Sequence, residues 1–296
     1  MKHSLIMSIV VLTTFLIAQF IGIAVVYNYI DSAKSKEAGK TEFKDLPIGE
    51  RPPLDEKTSF IHVVIAILVG TGLLFLLMRY NLTLVWKLWF LLATTAALII
   101  AGSAFLQKEA AIILGLIFGA WKTFKPNVWV HNATELFIYG GLAAIFVPLF
   151  NILSVIILLI LISAYDAYAV WKSKHMIALA KSQAKAHIFA GLMIPYKIGT
   201  GIGKVVKKPA KGMKAGKVRT AILGGGDIGF PLIFAGVVLK EFGLWQSLII
   251  PFGALLGLAV LLWKGDENKF YPAMPFISAG CFIALGIVWA IELLIS

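Results

Sequence analysis

The sequence predicts an all-α polytopic membrane protein with nine transmembrane helices, and three observations carry that prediction. Of 296 residues, 59% are hydrophobic and the mean hydropathy is +0.89, more apolar surface than a soluble fold of this size can hide. The apolar residues come in runs close to the roughly 20 residues that cross a bilayer as a helix. Charge is concentrated between the runs. Residues 167–226 hold twelve Lys and Arg and no Asp or Glu, which equals the whole net charge of +12.

The spans are read as 4–30, 58–79, 84–106, 109–122, 131–149, 151–171, 218–239, 243–263 and 272–295. The first is too long for a signal-peptide core and runs straight into a charged loop, so it reads as a membrane helix. The fourth is short, which implies a tilted or locally distorted bilayer. Lys122, Lys125, Pro126 and His131 interrupt the apolar run around it, and Asn151 marks a tight link between the fifth and sixth spans. No internal repeat is visible, which speaks against the inverted-repeat plan of many transporters.

Lys and Arg counts set the orientation. With the N-terminus inside, nineteen of the twenty-seven fall on the inner side, and the six in the 31–57 loop are offset by seven acids. The C-terminus is then outside. The 31–57 loop, with Pro47, Pro52 and Pro53, reads as only partly ordered. The chain divides into a six-helix part, 1–171, a basic cytosolic loop, 172–217, and a three-helix part, 218–296. An amphipathic helix is expected near 174–190, lying against anionic headgroups of the lipid bilayer.

Several other functions are set aside. Gly199, Gly201 and Gly203 precede Lys204, but Ile198 and Val205 stand where a phosphate loop needs Gly and Ser or Thr. The basic loop lacks interleaved aromatics and any nucleic-acid module, so no nucleic-acid partner is expected. Cys281 is a lone buried hydrophobe, and His62, His131, His175 and His187 lack ligand spacing and read as boundary or loop residues. No metal and no cofactor is expected.

Glu135, Asp166 and Asp227 lie in or near apolar spans, where an acid marks function by default. Glu135, close to His131 and Asn132, is placed within reach of water near the end of its span and given a structural role. Asp166 precedes Lys172 by six residues, about 9 Å inside the boundary, and Asp227 follows Arg219 by eight, ~12 Å inside if the intervening residues are helical. The two spans are antiparallel neighbours, so the carboxylates can face each other. Two close carboxylates in a poorly polarisable site share one proton. One then activates water, while the other donates to a peptide carbonyl as it becomes tetrahedral. Gly224-Gly225-Gly226 before Asp227 suits close backbone approach, to a substrate strand or to a packed helix. Pro272 and Pro275 forbid a regular helix start and leave carbonyls free near the same face.

Together these residues resemble the presenilin and signal peptide peptidase family of intramembrane aspartyl proteases. Tyr165-Asp166 matches its Tyr-Asp in the sixth span, and Gly224-Gly225-Gly226-Asp227 its Gly-x-Gly-Asp in the seventh. Pro272-Ala273-Met274 matches its Pro-Ala-Leu before the ninth, with Met for Leu. The resemblance covers nearly the whole chain in topology but only its last half in motif, and is greatest to archaeal homologues. It implies a horseshoe of nine helices with Asp166 and Asp227 catalytic. Tyr165, Gly224, Gly225, Gly226, Pro272, Ala273, Met274 and Pro275 would shape the site or bind substrate. The implied substrates are transmembrane-helix proteins, without a need for accessory subunits; homo-oligomerisation stays open. The prepilin peptidases share Gly-x-Gly-Asp, but have Lys where Gly229 stands. The rival of another class is a transporter or cation leak using the two buried aspartates.

Overall fold

The computed structural model describes residues 5–172, 189–195, 220–265 and 271–295. The helix expected near 174–190 lies outside these except at residues 189 and 190, which are not helical. Gly199, Gly201 and Gly203 lie outside them too. The described helices are α1 (Leu5–Asn28), α2 (Ser32–Ala38), α3 (Ser59–Arg79), α4 (Thr83–Ser103), α5 (Lys108–Phe124), α6 (Val128–Phe146) and α7 (Ile152–Trp171). After a two-stranded sheet of β1 (Gly191–Pro195) and β2 (Thr220–Gly224) come α8 (Gly225–Phe242), α9 (Leu244–Ser247), α10 (Ile250–Lys264) and α11 (Met274–Ile295).

Among the described residues, seven helical segments are long and apolar enough to cross a membrane. Two expected spans fall outside that set for identifiable reasons. Helix α5 has 17 residues, and α8 carries Asp227, Lys240 and Glu241 within its 18. The seventh span also starts later than its hydropathy suggested: residues 220–224 are strand rather than helix. The ~12 Å helical depth assigned to Asp227 therefore does not apply, because an extended chain covers about twice the distance per residue.

Helix α8 forms the centre of the bundle. Every residue from Pro231 to Leu239 is buried, and that run has no polar side chain to turn outward. Helices α1, α6, α7, α10 and α11 all pack on it. Beyond α6 lie α4 and α5; α10 packs on α11, and α7 on α3 and α11. The α10–α11 contact is backbone to backbone: a Cβ on Gly280 would stand 2.0 Å from the Gly253 carbonyl oxygen. Small residues allow this approach, and van der Waals contact holds it. Around the outside, Leu68, Val69, Trp129, Trp245 and Trp263 are exposed, as expected of a surface that meets lipid.

The 31–57 loop is more ordered than its composition suggested. Asp31 caps α2, Ile30 bridges Phe43, and Thr41 donates to the Lys240 carbonyl at 2.7 Å. Arg51 donates to the Ala144 and Lys44 carbonyls, while Lys240 pairs with Glu56 at 2.7 Å. Backbone carbonyls at helix ends have no partner in their own helix, and the loop's cations supply donors for them. At the next link, Asn151 and Ser154 form a reciprocal capping box that opens α7 directly after α6.

Candidate active site

The chain enters α8 from a hairpin. β1 and β2 are antiparallel, with Gly191 opposite Gly224 and Leu192 opposite Leu223. One face is apolar and buried, formed by Leu192, Ile194, Ala221 and Leu223, and it joins the main core. Alternation fixes the register, because a one-residue slip would turn these four outward. Gly225 donates to the Ala190 carbonyl at 3.2 Å and lies against Tyr139, whose hydroxyl would be 3.0 Å from a Cβ added there. Asp227 stands in the first turn of α8, half-buried, with its carboxylate folded back toward Gly224. Pro231 has no N–H to give one turn back. Gln19 of α1 bonds the neighbouring Ile228 carbonyl at 2.9 Å.

Asp166 lies near the C-terminal end of α7 and is buried. Its Oδ2 accepts the Met274 backbone N–H at 3.1 Å. This contact corrects the expectation for Pro272–Pro275. Helix α11 begins regularly at Met274 with Pro275 in its first turn, where a missing N–H leaves no bond unmade. The Ala273 carbonyl is not free either, since it accepts from Phe276 and Ile277. What this segment presents to the aspartate is a donor. One turn before Asp166, the Ser163 hydroxyl donates to Ser278 at 2.9 Å, a second tie between α7 and α11. Helices α7 and α8 pack on each other, and Lys240 near the end of α8 bonds the Phe150 carbonyl just before α7 at 3.1 Å, so the two run antiparallel, with Asp166 and Asp227 toward the same end.

A polar cluster on α6 completes this end. Glu135 is 1% exposed, so the expected access of water to it is wrong. Its carboxylate accepts from the Lys122 ammonium at 2.5 Å, the Tyr139 hydroxyl and the Gly191 N–H at 3.1 Å. His131 is buried near the start of α6, a helix-boundary position and not a loop. Its Nδ1 faces the Lys122 ammonium at 3.2 Å, which can only donate. Nε2 therefore carries the proton and donates to the Gly191 carbonyl at 2.7 Å. Lys122, which the sequence assigned to the inner loops, is buried at the end of α5. Asn132 both donates to and accepts from the Met193 backbone, at 2.7 and 2.9 Å.

Of the residues singled out from sequence, Asp166 meets Met274, Gly224 adjoins Asp227, and Gly225 packs on Tyr139. Tyr165 is partly buried beside Asp166, and Gly226 is exposed. The α6 cluster and the Ser163–Ser278 pair were not anticipated. A signal for the first existed: His131, Glu135 and Tyr139 follow one another at i, i+4, i+8, one face of a helix. Gly191 also belongs here, with φ of +142° and the Leu223 carbonyl oxygen 2.3 Å from where its Cβ would be. Gly191→Ala is expected to open this end of the hairpin at a cost of about 1–3 kcal/mol. Faster amide exchange at 191–195 and 220–224 would report it.

Solved structures share this fold. A presenilin family intramembrane aspartate protease in the C222 space group aligns with a TM-score of 0.62 at 18% identity, covering 96% of this chain and 99% of that one. A presenilin family intramembrane aspartate protease in the P2 space group gives 0.58 at 19%, covering 95% and 96%. No curated protein matches the chain. The family model described as signal-peptide peptidase, presenilin aspartyl protease matches residues 41–292, a stretch that takes in the hairpin, both aspartates and the start of α11. By that match the chain belongs to the signal-peptide peptidase and presenilin family of aspartyl proteases, and it is an intramembrane aspartic endopeptidase.

Proposed function

We propose that the chain hydrolyses peptide bonds within transmembrane helices of membrane-protein substrates, with Asp166 and Asp227 together activating water. The observation that supports this most is the packing of α7 on α8 with one carboxylate near the end of the first and one in the first turn of the second. The pair shares a proton. The ionised carboxylate takes a proton from water as its oxygen attacks the peptide carbonyl carbon, and the protonated one donates to the carbonyl oxygen. As the tetrahedral species collapses, the C–N bond breaks and the leaving nitrogen takes up the proton that came from water.

A substrate helix is internally hydrogen-bonded and must unwind before this chemistry can reach its backbone. Thr220, Ile222 and Gly224 of β2 direct their N–H and C=O groups away from β1, because the opposite residues Gly191 and Met193 turn theirs to α6 and the hydrogen-bonded pairs are therefore Leu192–Leu223 and Ile194–Ala221. That edge leads straight to Asp227. It can take an added strand from the unwound substrate, with Gly226 leaving room beside it. Nine membrane helices in a horseshoe, one self-sufficient chain, an inside N-terminus and an outside C-terminus complete the reading. The divisions 1–171, 172–217 and 218–296 belong to the same scheme.

Purified protein incubated in detergent with a helical transmembrane substrate is expected to yield two fragments joined in sequence at one or a few adjacent bonds. If no such substrate is cut while cation flux into vesicles depends on both aspartates, the protease reading fails. Orientation is checked separately. A Lys40→Cys, Cys281→Ala protein should react with an impermeant maleimide in right-side-out vesicles, and labelling only after permeabilisation would reverse the assignment.

A further inference from the structure

The outer edge of β1 is covered, and what covers it is one helix. A sheet edge normally presents alternate N–H and C=O groups to whatever comes. In β1 these groups belong to Gly191 and Met193, followed by the Pro195 carbonyl at the strand's end, and four bonds engage the first two residues. Glu135 and His131 hold the Gly191 N–H and C=O at 3.1 and 2.7 Å, and Asn132 holds those of Met193 at 2.9 and 2.7 Å. All three side chains come from one turn of α6. The turn is braced from behind by Lys122, which bonds Glu135, His131 and Thr134, and by the Tyr139 hydroxyl.

We propose that this turn of α6 is a rigid template for the hairpin: Asn132, His131 and Glu135 are positioning residues that close the β1 edge and fix the backbone that runs into Asp227. Its consequence for substrate rests on the protease reading; the template itself does not. Geometry links the template to the aspartate in three short steps. Gly191 is pinned to α6, its neighbour Ala190 accepts the Gly225 N–H, and Asp227 follows two residues later. The hairpin is therefore held by α6 before any substrate arrives. A looser hairpin would cost substrate affinity and cleavage register, but would leave the aspartates' chemistry intact.

Asn132→Ala is the decisive variant, because Asn132 is only half-buried and its loss strands no charge. It removes two hydrogen bonds, so amide protection across 191–195 and 220–224 should fall about tenfold or more. Amides of α10 serve as the internal reference and should not change. With a transmembrane substrate, KM should rise several-fold with kcat within about twofold, and the product termini should spread over neighbouring bonds. Glu135→Gln is the second variant. It keeps an acceptor for Gly191 but leaves the buried Lys122 ammonium without its counter-ion, so protection should fall in α5 and α6 as well as in the hairpin, in contrast to the confined loss in Asn132→Ala. Unchanged exchange in the hairpin of Asn132→Ala, or an equal loss in α10, would overturn the template. If the hairpin loosens as expected but the wild type cuts nothing, the protease reading falls and the template stands.

Discussion

Asp166→Asn and Asp227→Asn should each reduce cleavage of a transmembrane substrate by about 10³-fold or more, with the fold retained. General acid–base groups contribute 10²–10⁴ each, and a proton-sharing pair loses both roles when either carboxyl is removed. Asparagine keeps the size of the side chain, and at 166 it keeps a carbonyl oxygen to accept the Met274 N–H. The measurement therefore separates chemistry from structure. The double variant should be no worse than the poorer single one, since groups acting as a unit are not additive. Cleavage within tenfold of wild type in either single variant would remove that residue from the mechanism. An unchanged unfolding midpoint in detergent is the control.

The second large effect is on stability. Glu135→Ala should destabilise the protein by about 3–5 kcal/mol, because it leaves a buried ammonium without its counter-ion. The Lys122 and Glu135 side chains are 1% and 2% exposed, so water cannot replace the lost carboxylate. Removing both charges, as Lys122→Met with Glu135→Leu, should recover most of that loss, the usual result when a buried pair is exchanged for apolar groups. Recovery should be incomplete, because the Tyr139 hydroxyl and the Gly191 N–H also lose their acceptor, about 1–3 kcal/mol for each buried group left unsatisfied. The double variant thus tests two functions of one carboxylate. If its hairpin exchanges as slowly as the wild type's, Glu135 serves only to neutralise Lys122. Thermal unfolding in detergent and amide exchange over 191–195 read the two effects separately.

The candidate site motifs could be read from sequence because their signals are local. The Tyr165-Asp166 and Gly224–Asp227 motifs need no distant partner to be recognised, and hydropathy sums residue by residue along a span. What was misread depends on partners far away in the chain. Residues 220–224 are apolar enough to continue a helix, but Ala221 and Leu223 find strand partners in Ile194 and Leu192, across the long basic segment. Lys122 and Glu135 looked like a loop cation and a solvated acid. Helix α5 lies against α6, and the two charges meet in a space where neither could remain alone. Pro275 looked like a helix breaker because its spacing from Pro272 was weighed without knowing where the first turn began.

By itself the sequence determined a membrane-spanning helical chain, the family to which it belongs and the two aspartates proposed as its dyad. Those follow from composition, run length and contiguous motifs, all short-range properties of a chain in a bilayer. Only the tertiary structure decided that α8 is encircled, that the Met274 N–H points at Asp166, and that α6 grips β1. Each of those depends on which polar groups remain unsatisfied once the helices have packed. Burial makes an unpaired donor or charge costly, and its partner is set by position in space rather than by distance along the chain.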